Sequence, residues 1–186
     1  MECEIKEGYI RVSDVLGVFY KKDDIDDFIL EKAQKRGTYI HYWIQSFLEG
    51  IELPISETWS TYTELFQDWY TEFKPSKMLN VKRLYSENLK LTGEVDNIAI
   101  VGDRHILIDY KTSKEYSRSW PLQVAAYAHL LKEQGVDVDE AWIVHLDKQT
   151  SKKRTKTTVY KYDKGQIENN LALFMDALKL YKYFYL

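Results

Sequence analysis

The stretch Gly93-Glu94-Val95-Asp96-Asn97-Ile98-Ala99-Ile100-Val101-Gly102-Asp103-Arg104-His105-Ile106-Leu107-Ile108-Asp109-Tyr110-Lys111 sets two apolar runs around a two-residue turn signal. Read as strands over about 94–101 and 104–111 joined by Gly102-Asp103, it is a β-hairpin. Taken literally, the turn sets Val101 opposite Arg104, and therefore Asp96 opposite Asp109 and Glu94 opposite Lys111. Directly opposed side chains share a sheet face. The register thus gathers Glu94, Asp96, Asp109 and Lys111 together.

Two carboxylates opposed across strands would have Cβ atoms about 5 Å apart and would repel. A bound cation relieves that repulsion, and so does a proton held by a raised pKa. Oxygen ligands suit a hard ion such as Mg²⁺, which takes one or two carboxylates plus phosphate and water. Lys111, two residues past Asp109, leans to the same side. There it can orient or deprotonate a water, or stabilise charge on a phosphate. The bland alternative is a pair of salt-bridged strand ends with Lys111 neutralising a surface carboxylate. A β-bulge would also break the register.

At 186 residues the chain has the length of one ordinary domain with a real core. Its 45% hydrophobic and 30% charged content is that of a soluble globular protein. No run is long and apolar enough to cross a membrane, and Met1-Glu2-Cys3-Glu4-Ile5-Lys6 does not read as a signal peptide. The expected location is intracellular and cytoplasmic. Cys3 is the single cysteine, which excludes an intramolecular disulfide and a Cys₄ zinc or iron–sulfur site within one chain. The net charge of −3 is not that of a general DNA-binding protein, but basic residues cluster locally at Lys152-Lys153-Arg154 with Lys156, and at Lys32, Lys35 and Arg36. Fifteen tyrosines and five tryptophans supply rings that fill a core or stack on unpaired bases.

Residues 9–20 read as an irregular or short-strand lead-in, with Ser13 or Asp14 capping a short helical turn. A helix is expected from about Asp23 to Leu48, carrying Ile29, Ala33, Gly37, Ile40, Ile44 and Phe47 near helical period. A second runs over about 57–73 and closes at Lys74-Pro75. Residues 82–91 read as a strand before the hairpin. Pro121 begins a helix to about Gln134, ended by Gly135. Residues 140–147 and 155–162 read as strands, and a long helix follows Gly165. The strand at 105–111, the helix and the strand at 140–147 form a crossover unit, which favours parallel strands. Asp109 and Lys111 then fall at the carboxyl end of a sheet strand, where open α/β sheets place their sites.

His41 sits at the edge of the first helix's apolar stripe, one turn after Gly37, whose missing side chain leaves room for close approach. It reads either as a core histidine or as a metal ligand. Gln123 and Tyr127, spaced i,i+4, either pack and cap or present hydrogen-bonding groups toward Lys111. Glu87 reads either as a further site carboxylate or as an exposed strand residue.

Together these parts resemble the PD-(D/E)XK nuclease superfamily, and within it the RecB-like exonucleases. Four blocks carry the likeness in the family's order: Arg36-Gly37-Thr38-Tyr39-Ile40-His41 with Phe47-Leu48-Glu49-Gly50, Gly93-Glu94-Val95-Asp96, Ile108-Asp109-Tyr110-Lys111-Thr112-Ser113, and Gln123-Val124-Ala125-Ala126-Tyr127. The lead-in Arg11-Val12-Ser13-Asp14-Val15-Leu16 is similar to that of compact phage and mitochondrial genome-maintenance exonucleases.

The resemblance implies an α/β fold with a restriction-endonuclease-like core, a central mixed β-sheet flanked by helices, and an N-terminal helical segment. It implies one nuclease domain over 1–186, with a helical part at 1–80 carrying His41 and an αβ core at 81–186. His41, Asp96 and Asp109, with the main-chain carbonyl of Tyr110, would hold Mg²⁺ or Mn²⁺, and Lys111 would be the catalytic lysine. Gln123 and Tyr127 would support the site or contact DNA, with Glu87 a further candidate. The cysteines with which many relatives hold an iron–sulfur cluster are missing, and no helicase is fused, so a small stand-alone enzyme is expected. Its implied partner is DNA that is single-stranded or has free ends; no membrane partner is expected. Rival readings are a non-cutting nucleic-acid-binding module on the same fold and a structure-specific endonuclease. No P-loop, dinucleotide glycine motif or nucleophile elbow offers another chemistry.

Overall fold

The computed structural model describes residues 5–19, 26–147 and 156–186. Cys3, the Lys152-Lys153-Arg154 cluster and the expected first residues of the long helix at Asp23 lie outside the described residues. In chain order the elements are β1 (Ile10–Arg11), α1 (Val12–Gly17), α2 (Asp27–Leu48), α3 (Ser60–Phe73), β2 (Lys77–Asn80), β3 (Leu84–Ser86), β4 (Leu91–Gly93), β5 (Asn97–Val101), β6 (Arg104–Lys111), α4 (Trp120–Glu133), β7 (Glu140–Asp147), β8 (Lys156–Asp163) and α5 (Lys164–Tyr185).

The main sheet has the order β2-β5-β6-β7-β8 and is mixed. The β5–β6 hairpin keeps the register read from Gly102-Asp103, with Val101 opposite Arg104 and Asn97 opposite Ile108. Gly102 occupies the left-handed region at φ 61°, which the tight turn requires and glycine supplies without strain. Across the crossover through α4, β6 and β7 pair in parallel from Ile106↔Glu140 to Lys111↔His145. Alternation along β6 then divides the core. Ile106, Ile108 and Tyr110 pack with Ile40 and Ile44 of α2 and Phe66 of α3. Leu107 packs on the other side with Val124 and Ala125 of α4 and Phe174 of α5. The result is an α/β fold in which a mixed sheet is covered by helices on both faces.

Several elements depart from expectation. The segment 82–91 is not one strand: β3 and β4 are separate, joined through a turn in which Lys90 adopts φ 50°. With β1 they form a second sheet, β1-β4-β3, in which β1 lies parallel to β4. Strand β2, not anticipated, pairs with β5 along the edge of the main sheet. The hairpin strand begins at Asn97, not residue 94, so the ladder stops before Asp96 and Glu94. Helix α5 starts at Lys164, one residue before Gly165, because Asp163 caps it: its carboxylate accepts the Gln166 N–H while the Gln166 side chain accepts the Asp163 N–H.

Gly37 also behaves differently. A Cβ built there meets nothing within 4 Å, so no element approaches closely through its missing side chain. An interior helix glycine costs about 1 kcal/mol relative to alanine. Gly37→Ala is therefore expected to stabilise the fold by about 0.5–1 kcal/mol, read as a rise in the thermal midpoint. A fall would show that the open space is needed.

Candidate active site

At the carboxyl end of β6 a chain of contacts runs from strand to helix. Asp109 and Lys111 follow Leu107 in the alternation, so both side chains lie on the α4 side of the sheet. Lys111 Nζ sits 2.7 Å from Asp109 Oδ2 and donates to Gln123 Oε1 at 2.6 Å. Gln123 in turn donates through Nε2 to the Tyr127 hydroxyl at 3.0 Å. The i,i+4 spacing of Gln123 and Tyr127 on α4 makes that last link.

The second carboxylate reaches the group from the irregular residues between β4 and β5. Asp96 Oδ2 accepts the Tyr110 N–H at 2.8 Å, taking over a strand donor where the β5–β6 ladder has stopped. Its Oδ1 lies 2.7 Å from His41 Nδ1 on α2. His41, Asp96, Asp109, Lys111, Gln123 and Tyr127 are thus assembled, with Tyr110 supplying the backbone link. Glu94 is not: its side chain is 66% exposed and pairs with Arg83 at 2.6 Å, because residues 94–96 leave the strand and the alternation that would have aimed it inward. Glu87 lies in the exposed turn after β3, where it pairs with Lys90 at 3.0 Å and Lys6 at 3.8 Å, outside this network.

The two aspartates differ in environment. Burial raises the Asp109 carboxyl, the Asp96 charge adds to it, and Lys111 opposes incompletely, leaving the pKa above the ordinary value. Burial raises Asp96 as well. The charge and hydrogen bond of His41, the Tyr110 N–H and Lys111 outweigh that, holding Asp96 below its ordinary value. Burial lowers His41, but Asp96 overcomes it and Asp109 assists, so the ring holds its proton above its usual range. Burial, then the charges of Asp109 and Asp96, push the Tyr127 phenol upward and keep it a neutral hydroxyl.

Divalent-metal chemistry fits these residues on one specific observation. Asp109 Oδ2 is buried and has no hydrogen bond, despite the nearby Lys111 ammonium. A buried carboxylate oxygen without a hydrogen-bond donor, beside a second carboxylate, is a place where a cation is favoured. Among the described residues no three His, Cys, Asp or Glu side chains already converge as a metal cage. A hard divalent ion can rely on one or two carboxylates and complete its shell with water and phosphate. His41 as a ligand would first have to lose its proton.

Three contacts at the site had no counterpart in the sequence reading. His145, paired with Lys111 across β6 and β7, lies 2.6 Å through Nε2 from the Ser113 carbonyl oxygen, a bond only a ring N–H can make. Trp120 packs edge-on against it at 5.0 Å. This strut holds the segment that follows Lys111; seeing it requires the parallel register, which local spacing does not contain. Arg36 Nε donates to Thr112 Oγ1 at 3.3 Å. Both residues lie within recognised blocks, but their sequence separation concealed the contact.

A family model described as the PD-(D/E)XK nuclease superfamily matches residues 54–181. No curated protein matches the chain. Among solved structures, a candidate exonuclease from Eubacterium rectale is similar at 11% identity and a TM-score of 0.56, covering 95% of this chain and 82% of its own. An alkaline exonuclease from Laribacter hongkongensis aligns at 14% identity and a TM-score of 0.48, covering 93% of this chain and 89% of its own. At such identity the first likeness speaks for the fold alone, and the second is too loose to carry an argument.

Proposed function

Because the chain belongs to the PD-(D/E)XK nuclease superfamily, whose members hydrolyse phosphodiester bonds, we propose that it is a Mg²⁺- or Mn²⁺-dependent deoxyribonuclease acting as an exonuclease on single-stranded DNA or DNA ends. The observation that carries this reading is the contact chain Asp109–Lys111–Gln123–Tyr127 with Asp96 and His41 beside it. Residues 1–186 act as one nuclease unit, the part to residue 80 contributing His41 and the part from 81 the rest. The single cysteine suits a reducing, cytoplasmic setting and leaves no Cys₄ cluster.

Asp96 and Asp109, with His41 and the Tyr110 carbonyl, would hold the divalent ion. When bound, the ion polarises the scissile phosphate and lowers the pKa of a water. Lys111 carries three ammonium donors. Its one hydrogen bond among the described residues goes to Gln123, and Asp109 Oδ2 stands beside it as an ion pair, so donors remain for the attacking water or a phosphate oxygen. Gln123 fixes where that ammonium sits, and the neutral Tyr127 hydroxyl fixes Gln123. Asp96, tied to the Tyr110 N–H, keeps its carboxylate on the end of β6. Helix α2 brings His41 to the edge of the site, and α2 with α3 would form a wall beside it that admits only a strand with a free end. The choice of exonuclease over endonuclease follows the likeness of the four sequence blocks to the RecB-like exonucleases.

The decisive assay offers end-labelled linear and covalently closed circular single-stranded DNA with Mg²⁺, Mn²⁺ or EDTA. Cutting of the linear strand alone, abolished by EDTA, is the expected result. No cutting with either metal would sink the enzyme reading in favour of a DNA-binding module, and cutting of circles would establish an endonuclease. A readout independent of turnover is thermal unfolding. An ion that binds only the folded state adds about 2.7 kcal/mol at a hundredfold excess over Kd, and Asp109→Asn should erase that gain. A shift that survives in Asp109→Asn would remove Asp109 from the ion site.

A further inference from the structure

Arg36, read from the sequence as part of a basic cluster, is half-buried in the structure. It lies one helical turn before Ile40, on the stripe of α2 that continues through the buried Trp43 and Ile44. A charged group on an inward stripe is costly unless an opposite charge meets it. Its guanidinium is held on two sides: Nε donates to Thr112 Oγ1 at 3.3 Å, and the ring of Tyr62 from α3 lies beneath it, 5.4 Å from Cζ to the ring centroid. Thr112 and Tyr62 are themselves buried, at 8% and 7% exposure. Among the described residues, neither terminal nitrogen of Arg36 has a hydrogen-bond or carboxylate partner. Thr112 directly follows Lys111, so the tether places this cation beside the reacting end of β6.

We propose that Arg36 is a substrate-binding residue: its terminal amino groups take the non-bridging oxygens of the DNA phosphate next to the one being cleaved. An arginine fork matches phosphate geometry with two parallel donors. Nε and the guanidinium face are already engaged by Thr112 and Tyr62, so the terminal edge remains for the ligand with little ordering left to do. The inference rests on the nuclease reading and adds to it a second phosphate subsite outside the metal group.

The test measures binding of a fluorescein-labelled single-stranded oligonucleotide in EDTA, where no cleavage occurs, across a range of salt concentrations. Arg36→Gln is expected to weaken binding about tenfold and to flatten the slope of log affinity against log salt by about 0.7, the value for one phosphate contact on a single strand. Thr112→Val removes only the tether, so it should weaken binding less and leave the slope unchanged. If Arg36 merely fastens α2 to the segment after β6, both variants lose thermal stability alike and neither changes the salt slope, which overturns the proposal. If Arg36→Gln does not fold, Arg36→Lys is read instead. It keeps the charge and hence the slope but loses the fork, so wild-type affinity in that protein overturns the proposal too. Failure of the wild type to cut DNA with Mg²⁺ or Mn²⁺ strikes the nuclease reading. Normal cutting together with unchanged affinity and slope in Arg36→Gln strikes this one alone.

Discussion

Lys111→Ala is expected to lower the rate of phosphodiester cleavage by about 10²–10⁴-fold, the span for loss of a positioned donor or proton-transfer group. The loss should fall on turnover in single-turnover experiments at saturating DNA, with affinity changing far less. Gln123 and Tyr127 are connected to the reacting end through Lys111, so neither replaces the missing ammonium. The substitution also leaves Asp109 buried with its Oδ2 stripped of the neighbouring ammonium. Burial and Asp96 already raise that carboxyl, and Lys111 is the group opposing them most strongly. In the variant the carboxyl moves further up. A carboxyl raised in the folded state costs nothing below its unfolded value of about 3.9 and progressively destabilises as pH climbs through the folded value. The metal-free variant should therefore lose more stability than the wild type between mildly acidic and neutral pH. Activity within tenfold of wild type would exclude Lys111 from the chemistry.

Gly93→Ala should damage stability and activity together, although the residue touches no substrate. A Cβ at Gly93 would lie 2.6 Å from Tyr127 Cε1, 2.9 Å from Cδ1 and 3.0 Å from Leu130 Cδ1. Neither neighbour is a loose side-chain tip: Tyr127 is 6% exposed and Leu130 fully buried. Relief requires the ring or the whole of α4 to shift, and overpacking of this kind costs about 1–3 kcal/mol. For a chain of this size that is a fall of several degrees in Tm. The Tyr127 hydroxyl anchors Gln123, and Gln123 anchors Lys111, so displacement of the ring also loosens the reacting ammonium. The clash predicts non-additivity. Combined with Tyr127→Ala, which vacates the space, Gly93→Ala should cost much less than it does alone. Additive losses would mean that the glycine serves some other need.

These expectations show which features were visible in the residues. Gly93 stood in a recognised block, but nothing local said that an aromatic ring from α4 would press against it. The hairpin is the opposite case. Gly102-Asp103 is a local turn signal, and the pairing of Val101 with Arg104 and Asn97 with Ile108 followed from it directly. Extending the same arithmetic outward failed at Glu94, because a ladder persists only while both strands stay extended, and residues 94–96 turn away before the pairing reaches them. Asp96 came to the site for a different reason from the one its position suggested. It is a side-chain acceptor for the Tyr110 N–H, not a strand residue facing Asp109.

What the sequence determined by itself was the set of periodic segments and the order in which they occur. Apolar spacing marked α2 and α5, and start and stop signals bounded α3 and α4; the crossover favoured parallel β6 and β7; and chain order through the four blocks brought His41, Asp96, Asp109, Lys111, Gln123 and Tyr127 together as one set. These are local properties, written within one or two helical turns or one strand. The tertiary structure decided what depends on partners far along the chain: the second sheet, built from strands of two or three residues too short to show a period; the edge strand β2; the exclusion of Glu94; the His145 strut; and the tether between Arg36 and Thr112. Short strands and single side-chain contacts carry too little periodic signal to be read locally. They form because the larger elements, once packed, bring the groups within bonding distance.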